Sequence, residues 1–108
     1  MPKTLYWIQG GSCGGDTWSL MNADTPDPIE LFEAFDIELL WHHALSASSA
    51  TELATLNRRI LSGDQPLDIL CVEGSVINGP DGTGRFDMLP AGPRKDFLYD
   101  LAQRAQVV

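Results

Sequence analysis

A glycine-rich run that follows an apolar segment constrains this chain more than any other feature of its sequence. Residues 4–8 read Thr-Leu-Tyr-Trp-Ile and predict a buried strand. Residues 9–17 read Gln-Gly-Gly-Ser-Cys-Gly-Gly-Asp-Thr, and residues 18–23 then predict one or two helical turns. Glycine lets the backbone approach a bulky group because it has no Cβ. A strand, a glycine-rich turn and a helix in this order are where α/β proteins place reactive groups.

The glycine-rich turn carries two side chains with chemistry of their own, Cys13 and, three residues later, Asp16. Thiolate and carboxylate both bind iron or zinc, so the spacing is compatible with a pair of metal ligands. The turn is equally compatible with an anion cradle at a helix N-terminus, or with a plain connection between a strand and a helix. Its spacing fits neither the dinucleotide fingerprint nor the phosphate-binding loop. The residues alone leave these alternatives open.

The rest of the chain alternates between strand and helix patterns. Strands are predicted over residues 36–41 and 68–73, and the second of these is apolar enough to be buried on both faces. Helices are predicted over residues 28–35, 49–62 and 94–104.

Particular residues set the predicted bounds of two of these helices. Asp27 is a suitable N-cap with Pro28 at the first helical position, and Gly63 ends the helix that buries Leu53, Leu56, Ile60 and Leu61. Residues 74–93 predict a long loop, and Val107 opens a further strand. This order predicts one α/β domain over residues 1–108 with a flavodoxin-like, doubly wound parallel sheet that is incomplete at the C-terminus.

The charge of the chain limits its partners. Fifteen acidic and seven basic residues give a net charge of −8, which disfavours nucleic acid and anionic membrane surfaces. No apolar run approaches the ~20 residues that cross a membrane. Met1, Pro2 and Lys3 lead directly into the first strand, so we expect no secretory leader. We therefore expect a cytoplasmic protein, either free or peripheral to the inner face of the membrane.

Blocks of sequence along nearly the whole chain resemble one protein family. Residues 7–15 (Trp-Ile-Gln-Gly-Gly-Ser-Cys-Gly-Gly) and 19–23 (Ser-Leu-Met-Asn-Ala) resemble the opening of the small subunit of nickel-iron hydrogenases, and more distantly the small iron-sulfur subunit of respiratory complex I. Later blocks keep the order of the family: residues 24–27, 40–42, 68–76 and 81–84. The resemblance implies an electron-transferring subunit whose partner, the hydrogenase large subunit, carries the nickel-iron centre.

The resemblance also implies a cofactor site. Cys13 and Asp16 would be ligands of the proximal iron-sulfur cluster, of the 4Fe-4S type, with Gly11, Gly14 and Gly74 beside the cofactor. Most family members have a second cysteine where Asp16 stands. Hydrogenases of the oxygen-tolerant or actinobacterial type are thought to use an aspartate there, and this chain resembles that type.

Two departures from the family pattern affect this expectation. Many relatives have a glutamate directly before the first cysteine, suggested as a proton carrier, and this chain has Ser12, so that role does not carry over. Clusters of four irons are normally held by four protein ligands, and the chain offers two. We expect the missing cysteines to come from residues beyond Val108 or from a second chain.

Glu73 is the third candidate site residue. The carboxyl ends of parallel strands open on one edge of the sheet, so Glu73 is expected to converge there with Cys13 and Asp16. It resembles a glutamate that the family keeps beside the proximal cluster. A proton relay and a carboxylate that caps the loop are both open for it, and no other catalytic residue is predicted.

His42 and His43 end the second predicted strand. Adjacent residues of an extended segment point to opposite faces, so we expect two structural histidines with satisfied hydrogen bonds rather than a metal-binding pair. His42 matches a histidine of the family, whereas His43 stands where relatives often have proline. Cys71 lies within an apolar run and is predicted to be a core residue. Trp18, beside the glycine-rich turn, is a candidate contact for the large subunit.

Two other functions remain as alternatives. One is a cluster-free interaction or regulatory module of the same fold, which the small number of cysteines favours. The other is a quinone-reductase subunit of the complex I type. The complex I type normally has paired adjacent cysteines and a basic surface facing the membrane, and the sequence has neither.

Overall fold

Strands and helices alternate along the chain as their sequence patterns predict. The computed structural model describes all 108 residues. The elements in chain order are β1 (Lys3–Gln9), α1 (Gly15–Met21), α2 (Pro28–Ala34), β2 (Ile37–His42), α3 (Ala50–Ser62), β3 (Leu67–Glu73), β4 (Met88–Leu89), β5 (Gly92–Pro93), α4 (Arg94–Arg104) and β6 (Ala105–Val107). The predicted bounds of α2, α3 and α4 are confirmed to within one residue.

Side-chain caps explain where α2 and α3 begin. The Asp27 carboxylate accepts a hydrogen bond from the backbone N–H of Glu30 at 2.8 Å, and the Glu30 carboxylate accepts one from the N–H of Asp27 at 3.4 Å. Ser49 and Glu52 repeat this reciprocal pair at 3.1 and 3.2 Å. Such pairs satisfy N–H groups that the first helical turn leaves without partners. Gly63, with a φ of 91°, ends α3 in the left-handed conformation.

The main sheet is parallel, with the strand order β2-β1-β3-β6. The predicted α/β fold class is therefore confirmed, in the flavodoxin-like order. The chain moves outward from β1 to β2 and then crosses back over β1 to β3. Because such connections are almost always right-handed, α1 and α2 lie on one face of the sheet and α3 and α4 on the other.

The hydrophobic core lies between the sheet and the face that carries α3 and α4. Its buried members are Tyr6, Ile8, Ile60, Leu67, Leu70, Leu98 and Leu101. Of the four α3 residues predicted for this face, Ile60 is fully buried and Leu53, Leu56 and Leu61 pack around the cluster.

Strand β3 is less covered than its sequence predicts. Leu67, Leu70 and Glu73 are buried, but the residues between them are only half-buried. The prediction of burial on both faces is therefore wrong for the middle of the strand. Strand β6 pairs with β3 only as far as Ile69, and the second face carries only the two short helices α1 and α2.

Three further elements differ from their predicted positions. Strand β6 begins at Ala105, directly after α4, and Val107 is its last residue rather than its first. Helix α1 begins at Gly15 rather than at Trp18, because Gly14 takes a φ of 81° and turns the chain into the helix at once. The predicted loop 74–93 contains a short antiparallel hairpin, β4-β5. None of the four helices combines the length and the apolar character that crossing a membrane requires.

Candidate functional site

Three loops meet at the carboxyl edge of the sheet, as the topology predicts. They are the glycine-rich loop 10–14 after β1, the turn that begins at His43 after β2, and the segment that begins at Gly74 after β3. Cys13 and His43 lie in these loops, and Asp16 and Glu73 lie directly beside them.

Backbone hydrogen bonds join the first of these loops to the third. The N–H of Gly10 donates to the carbonyl of Glu73 at 2.8 Å, and the N–H of Gly11 donates to the carbonyl of Ser75 at 2.8 Å. The N–H of Ser75 returns a bond to Gly11 at 3.2 Å. Gly74 has a φ of 90°, and a Cβ there would lie 2.5 Å from the Cβ of Ser12. The two loops therefore touch through backbone, which requires glycine at this contact.

Gly11, Gly14 and Gly74 have structural roles in this arrangement. A Cβ on Gly11 would lie 2.8 Å from Ser75 Oγ, and Gly14 is the left-handed residue that precedes α1. Their predicted position beside a cofactor stays a prediction.

Cys13 and Asp16 are both exposed at this edge. Cys13 Sγ lies over Gly15, where an added Cβ would be 3.4 Å away, and Asp16 belongs to the first turn of α1. The negative charge of Asp16 disfavours a second anion at the N-terminus of this helix, which weighs against the anion cradle.

Cys13 and Asp16 supply two of the ligand types that a cluster site uses. A thiol and a carboxylate are ligand types that iron accepts, whereas iron-sulfur clusters are normally held by four protein ligands. The chain presents no group of three or more histidine, cysteine, aspartate or glutamate side chains that could hold a metal ion.

Glu73 is buried at the end of β3, with 2% of its surface exposed. Its carboxylate accepts hydrogen bonds from Trp7 Nε1 at 3.1 Å and from the hydroxyl of Thr17. The Ser12 hydroxyl donates a longer bond at 3.4 Å. Burial raises the pKa of Glu73, but the bonds from Thr17 and Trp7 outweigh it, with a smaller contribution from His43, and the net pKa lies below its ordinary value of 4.5. Glu73 is therefore an ionised carboxylate inside the protein.

Glu73 converges with the glycine-rich loop as expected, but it contacts the neighbours of Cys13 and Asp16 rather than these two residues themselves. Two of its hydrogen-bond partners, Ser12 and Thr17, are the chain neighbours of Cys13 and Asp16. Ser12 is held in turn by Gln9, whose side-chain amide donates to the Ser12 carbonyl at 3.1 Å.

Thr17 is a site residue that the sequence reasoning missed. It is 4% exposed, and its hydroxyl contacts both Glu73 and His43 Nε2, the latter at 3.1 Å. With α1 starting at Gly15, Thr17 and Asp16 differ by one helical step, so one side chain is directed inward and the other outward. A helix predicted from Gly15 onward would have indicated this burial.

The two histidines do not behave as their positions predict. Their rings stack with centroids 4.6 Å apart and an angle of 16° between the planes, because β2 ends at His42 and the chain turns there. The prediction that they point to opposite faces is therefore wrong.

The structural role predicted for His42 is confirmed. His42 is fully buried, and its Nδ1 accepts bonds from the N–H groups of Ala44 and Leu45 at 3.0 and 3.3 Å. The expected satisfaction of both rings is wrong, because His42 Nε2 and His43 Nδ1 are buried without partners. Burial lowers the pKa of His42, the neighbouring His43 lowers it further, and Glu73 opposes this shift.

The remaining candidates have simple environments. Cys71 is half-buried rather than a full core residue, and burial, followed by the charges of Glu73 and Asp16, raises the pKa of its thiol. Trp18 is 62% exposed on α1 and Met21 is 39% exposed on the same helix.

Comparisons with known proteins relate this chain to subunits of oxidoreductases and hydrogenases. Residues 13–108 match the family described as NADH ubiquinone oxidoreductase, 20 Kd subunit. The chain is 32% identical to the F420 non-reducing hydrogenase II small subunit of Methanosarcina mazei and 30% identical to the F420 non-reducing hydrogenase I small subunit of the same organism. Each alignment covers 96% of this chain and 30% of the relative, so the chain spans less than a third of the curated relatives that it matches.

A solved structure shares the fold. The H2-activated [NiFeSe]-hydrogenase of Dm. baculatum superposes with a TM-score of 0.74 at 25% identity, over 97% of this chain and 40% of that one. The fold and the relatives together support a hydrogenase small-subunit-like protein.

Proposed function

The chain belongs to the family of the NADH ubiquinone oxidoreductase 20 Kd subunit, and from this premise we propose that it is the flavodoxin-like N-terminal domain of a hydrogenase small subunit that transfers electrons. The observation that carries the proposal is the exposed pair Cys13 and Asp16 on a glycine-rich loop beside the buried carboxylate of Glu73. The names of the relatives supply the reaction class.

In this proposal Cys13 and Asp16 are two of the ligands of the proximal iron-sulfur cluster. The cluster, when bound, accepts and passes on single electrons from hydrogen oxidation. The other ligands would come from outside these 108 residues. In this proposal the nickel-iron centre and the cleavage of hydrogen belong to the large subunit.

The residues of this chain have two tasks in the proposed function. The glycine-rich loop, joined by backbone bonds to the segment after β3, holds Cys13 and Asp16 at a fixed place on the edge of the sheet. The exposed Trp18 and Met21 of α1 offer apolar surface next to that place. Aromatic side chains of this kind are frequent anchors of protein interfaces, so we assign this surface to the large subunit.

The ligand assignment is tested by replacing Asp16 in the chain purified together with its partner subunit. Asp16→Cys offers a thiolate in the same place, so it is expected to retain iron and acid-labile sulfide and to change the spectroscopic signature of the reduced cluster. Asp16→Ala and Cys13→Ala each remove a ligand and are expected to lower iron and sulfide content. Asp64→Ala is the matched control, because Asp64 is exposed in the turn after α3. Unchanged metal content and spectrum in both Asp16 variants would refute the assignment.

A second candidate is a cluster-free interaction module of the same fold. The observation in its favour is that the chain offers no group of three or more metal-ligating side chains. Iron, nickel and sulfide analysis of the purified chain with its co-purifying partners separates the two functions. Iron and sulfide in the presence of a nickel-containing partner support the electron-transfer subunit, whereas a metal-free monomer supports the interaction module.

A further inference from the structure

His43 stands between a buried carboxylate and a cavity of about 880 Å³. The cavity lies among the end of β1, α3, α4 and the β4-β5 hairpin, and His43 is one of its lining residues. Other lining residues, among them Arg58, Ala91 and Asp100, are exposed, so the cavity opens to solvent. His43 itself is half-buried.

A hydrogen-bonded path of three side chains leads inward from His43. Its Nε2 lies 3.1 Å from Thr17 Oγ1, and the Thr17 hydroxyl contacts Glu73. The path joins the turn after β2, helix α1 and the end of β3, and the two inner members, Thr17 and Glu73, are 4% and 2% exposed.

The chemistry of these groups defines the direction of each bond. An ionised carboxylate only accepts, so the single hydroxyl proton of Thr17 is donated to Glu73. The contact between Thr17 and His43 then requires a proton on His43 Nε2. His43 Nδ1 is buried and has no partner in this conformer. Nε2 is therefore the ring nitrogen through which His43 forms a hydrogen bond with the interior of the protein.

We propose that His43 transfers protons between Glu73 and the water of this cavity, with Thr17 as the connecting hydroxyl. The inference deepens the proposed function, on which it rests for the source of the protons. It assigns a role to a residue for which only a structural role was expected. His43 lines the cavity, so a turn of its ring away from Thr17 would bring it to the water there.

Outward transfer begins with Glu73 in its acid form and a neutral His43 that carries its one proton on Nδ1, so that Nε2 is free to accept. Glu73 gives its proton to Thr17 Oγ1 while the hydroxyl proton of Thr17 moves to His43 Nε2. Glu73 is left as a carboxylate, Thr17 is unchanged and His43 is an imidazolium protonated on both ring nitrogens, with no electron transferred. The imidazolium then turns toward the cavity and gives its Nδ1 proton to water, which leaves the Nε2 proton that the contact with Thr17 requires beside an ionised Glu73.

Titratable and charged groups of several elements face the His43 ring. Glu73 and His42 face it from β3 and β2, and the cavity adds groups from α3 and α4, which are Arg58, Arg94, Asp96 and Asp100. Arg94 is paired with Asp87 at 3.0 Å.

The hydrogen-bonded path is tested first on the chain labelled with ¹⁵N-histidine. At slightly alkaline pH, NMR is expected to show His43 protonated at Nε2 and not at Nδ1. Thr17→Val removes the hydroxyl and is expected to shift both nitrogen resonances, whereas Thr17→Ser retains it and is expected to preserve them. Thr55→Val, at an exposed threonine of α3, is the matched control. A neutral His43 protonated at Nδ1, or a Thr17→Val variant with unchanged resonances, would overturn the path.

Proton transfer is then measured in the complex with the partner subunit as isotope exchange between D2 and water. His43→Ala is expected to slow the exchange on the order of a hundredfold, at the lower end of what a positioned acid–base group contributes. Added imidazole is expected to restore the rate in His43→Ala but not in Thr17→Val. Wild-type exchange in His43→Ala, or equal rescue of both variants, would overturn the proposal. A wild-type complex without exchange would refute the proposed function instead, while the NMR result still decides the path.

Discussion

Glu73 joins segments that are distant in the sequence through one buried carboxylate. Trp7 of β1, Ser12 of the glycine-rich loop and Thr17 of α1 all donate to it. A hydrogen bond to a charged group contributes about 1.5–3 kcal/mol, and a buried donor left without a partner costs a comparable amount. The same bonds lower the pKa of the carboxylate by more than burial raises it, so they favour its ionised form.

Gly74 provides a prediction at this scale. Gly74→Ala is expected to destabilise the chain for two reasons, since its φ of 90° strains any side chain and its new Cβ would meet Ser12 Cβ at 2.5 Å. The left-handed conformation costs roughly 1–2 kcal/mol, and crowding adds typically 1–3 kcal/mol. The measurement is the free energy of unfolding in urea.

Gly82→Ala is the control for this prediction. Gly82 has a φ of 78°, but an added Cβ there would meet nothing within 4 Å. It is expected to lose only the conformational part, roughly 1–2 kcal/mol. Equal losses in both variants would show that the contact with Ser12 contributes nothing.

Helix α1 shows how an element can depend on its surroundings. It has seven residues, and isolated helices of this length are unstable in water. Its first turn is preceded by a left-handed glycine, with no side-chain cap, and its one buried residue, Thr17, contacts Glu73 and His43. The left-handed Gly14 sets the start of α1 at Gly15, and these tertiary contacts stabilise a helix that is too short to be stable by itself.

Helix α3 is the opposite case and carries the prediction for this scale. Ser49→Ala removes the hydroxyl that accepts from the Glu52 N–H at 3.1 Å and is expected to cost about 1 kcal/mol. Urea unfolding followed by circular dichroism measures the loss. Ser48→Ala, one residue earlier at an exposed position, is expected to change stability by less than about 0.5 kcal/mol. Equal stability of the two variants would contradict the capping role of Ser49.

At the scale of the whole molecule, the strand order decides which residues meet. Placing β1 between β2 and β3 gathers the loop after each of the three strands at one edge. Residues some 30 and 60 positions apart, such as Ser12, His43 and Glu73, therefore belong to one network. The same strand order leaves the face of the sheet opposite α3 and α4 covered by only two short helices, α1 and α2.

The pH dependence of stability is the prediction for the whole molecule. Burial lowers the pKa of His42 below its ordinary value of 6.5, so between the two pKa values the unfolded chain binds a proton that the folded chain does not. The free energy of unfolding is therefore expected to fall as the pH falls below 6.5. Glu73 contributes a second loss at lower pH, below its ordinary value of 4.5, since its folded pKa is also lowered.

Unfolding in urea at a series of pH values checks this expectation, with His42→Gln as the comparison. This variant lacks the titrating ring, so the part of the slope just below pH 6.5 is expected to disappear while the loss below 4.5 remains. An unchanged slope in His42→Gln would assign the pH dependence to another group.

The sequence by itself determined the elements whose signals are local. Capping residues, helical periodicity and the apolar runs predicted α2, α3, α4 and the parallel sheet, because these features depend on residues within a few positions of one another. It also placed Cys13, Asp16 and Glu73 at one edge, since strand ends in such a sheet share a side.

Only the tertiary structure decided what depends on contacts between distant segments. The inward position of Thr17, the stacking of His42 on His43 and the ionised state of buried Glu73 each arise where two or three elements pack together. No local pattern encodes these contacts, because each one depends on the direction in which a loop leaves its strand. That direction is set by the backbone bonds between loops and by the close approach at Gly74.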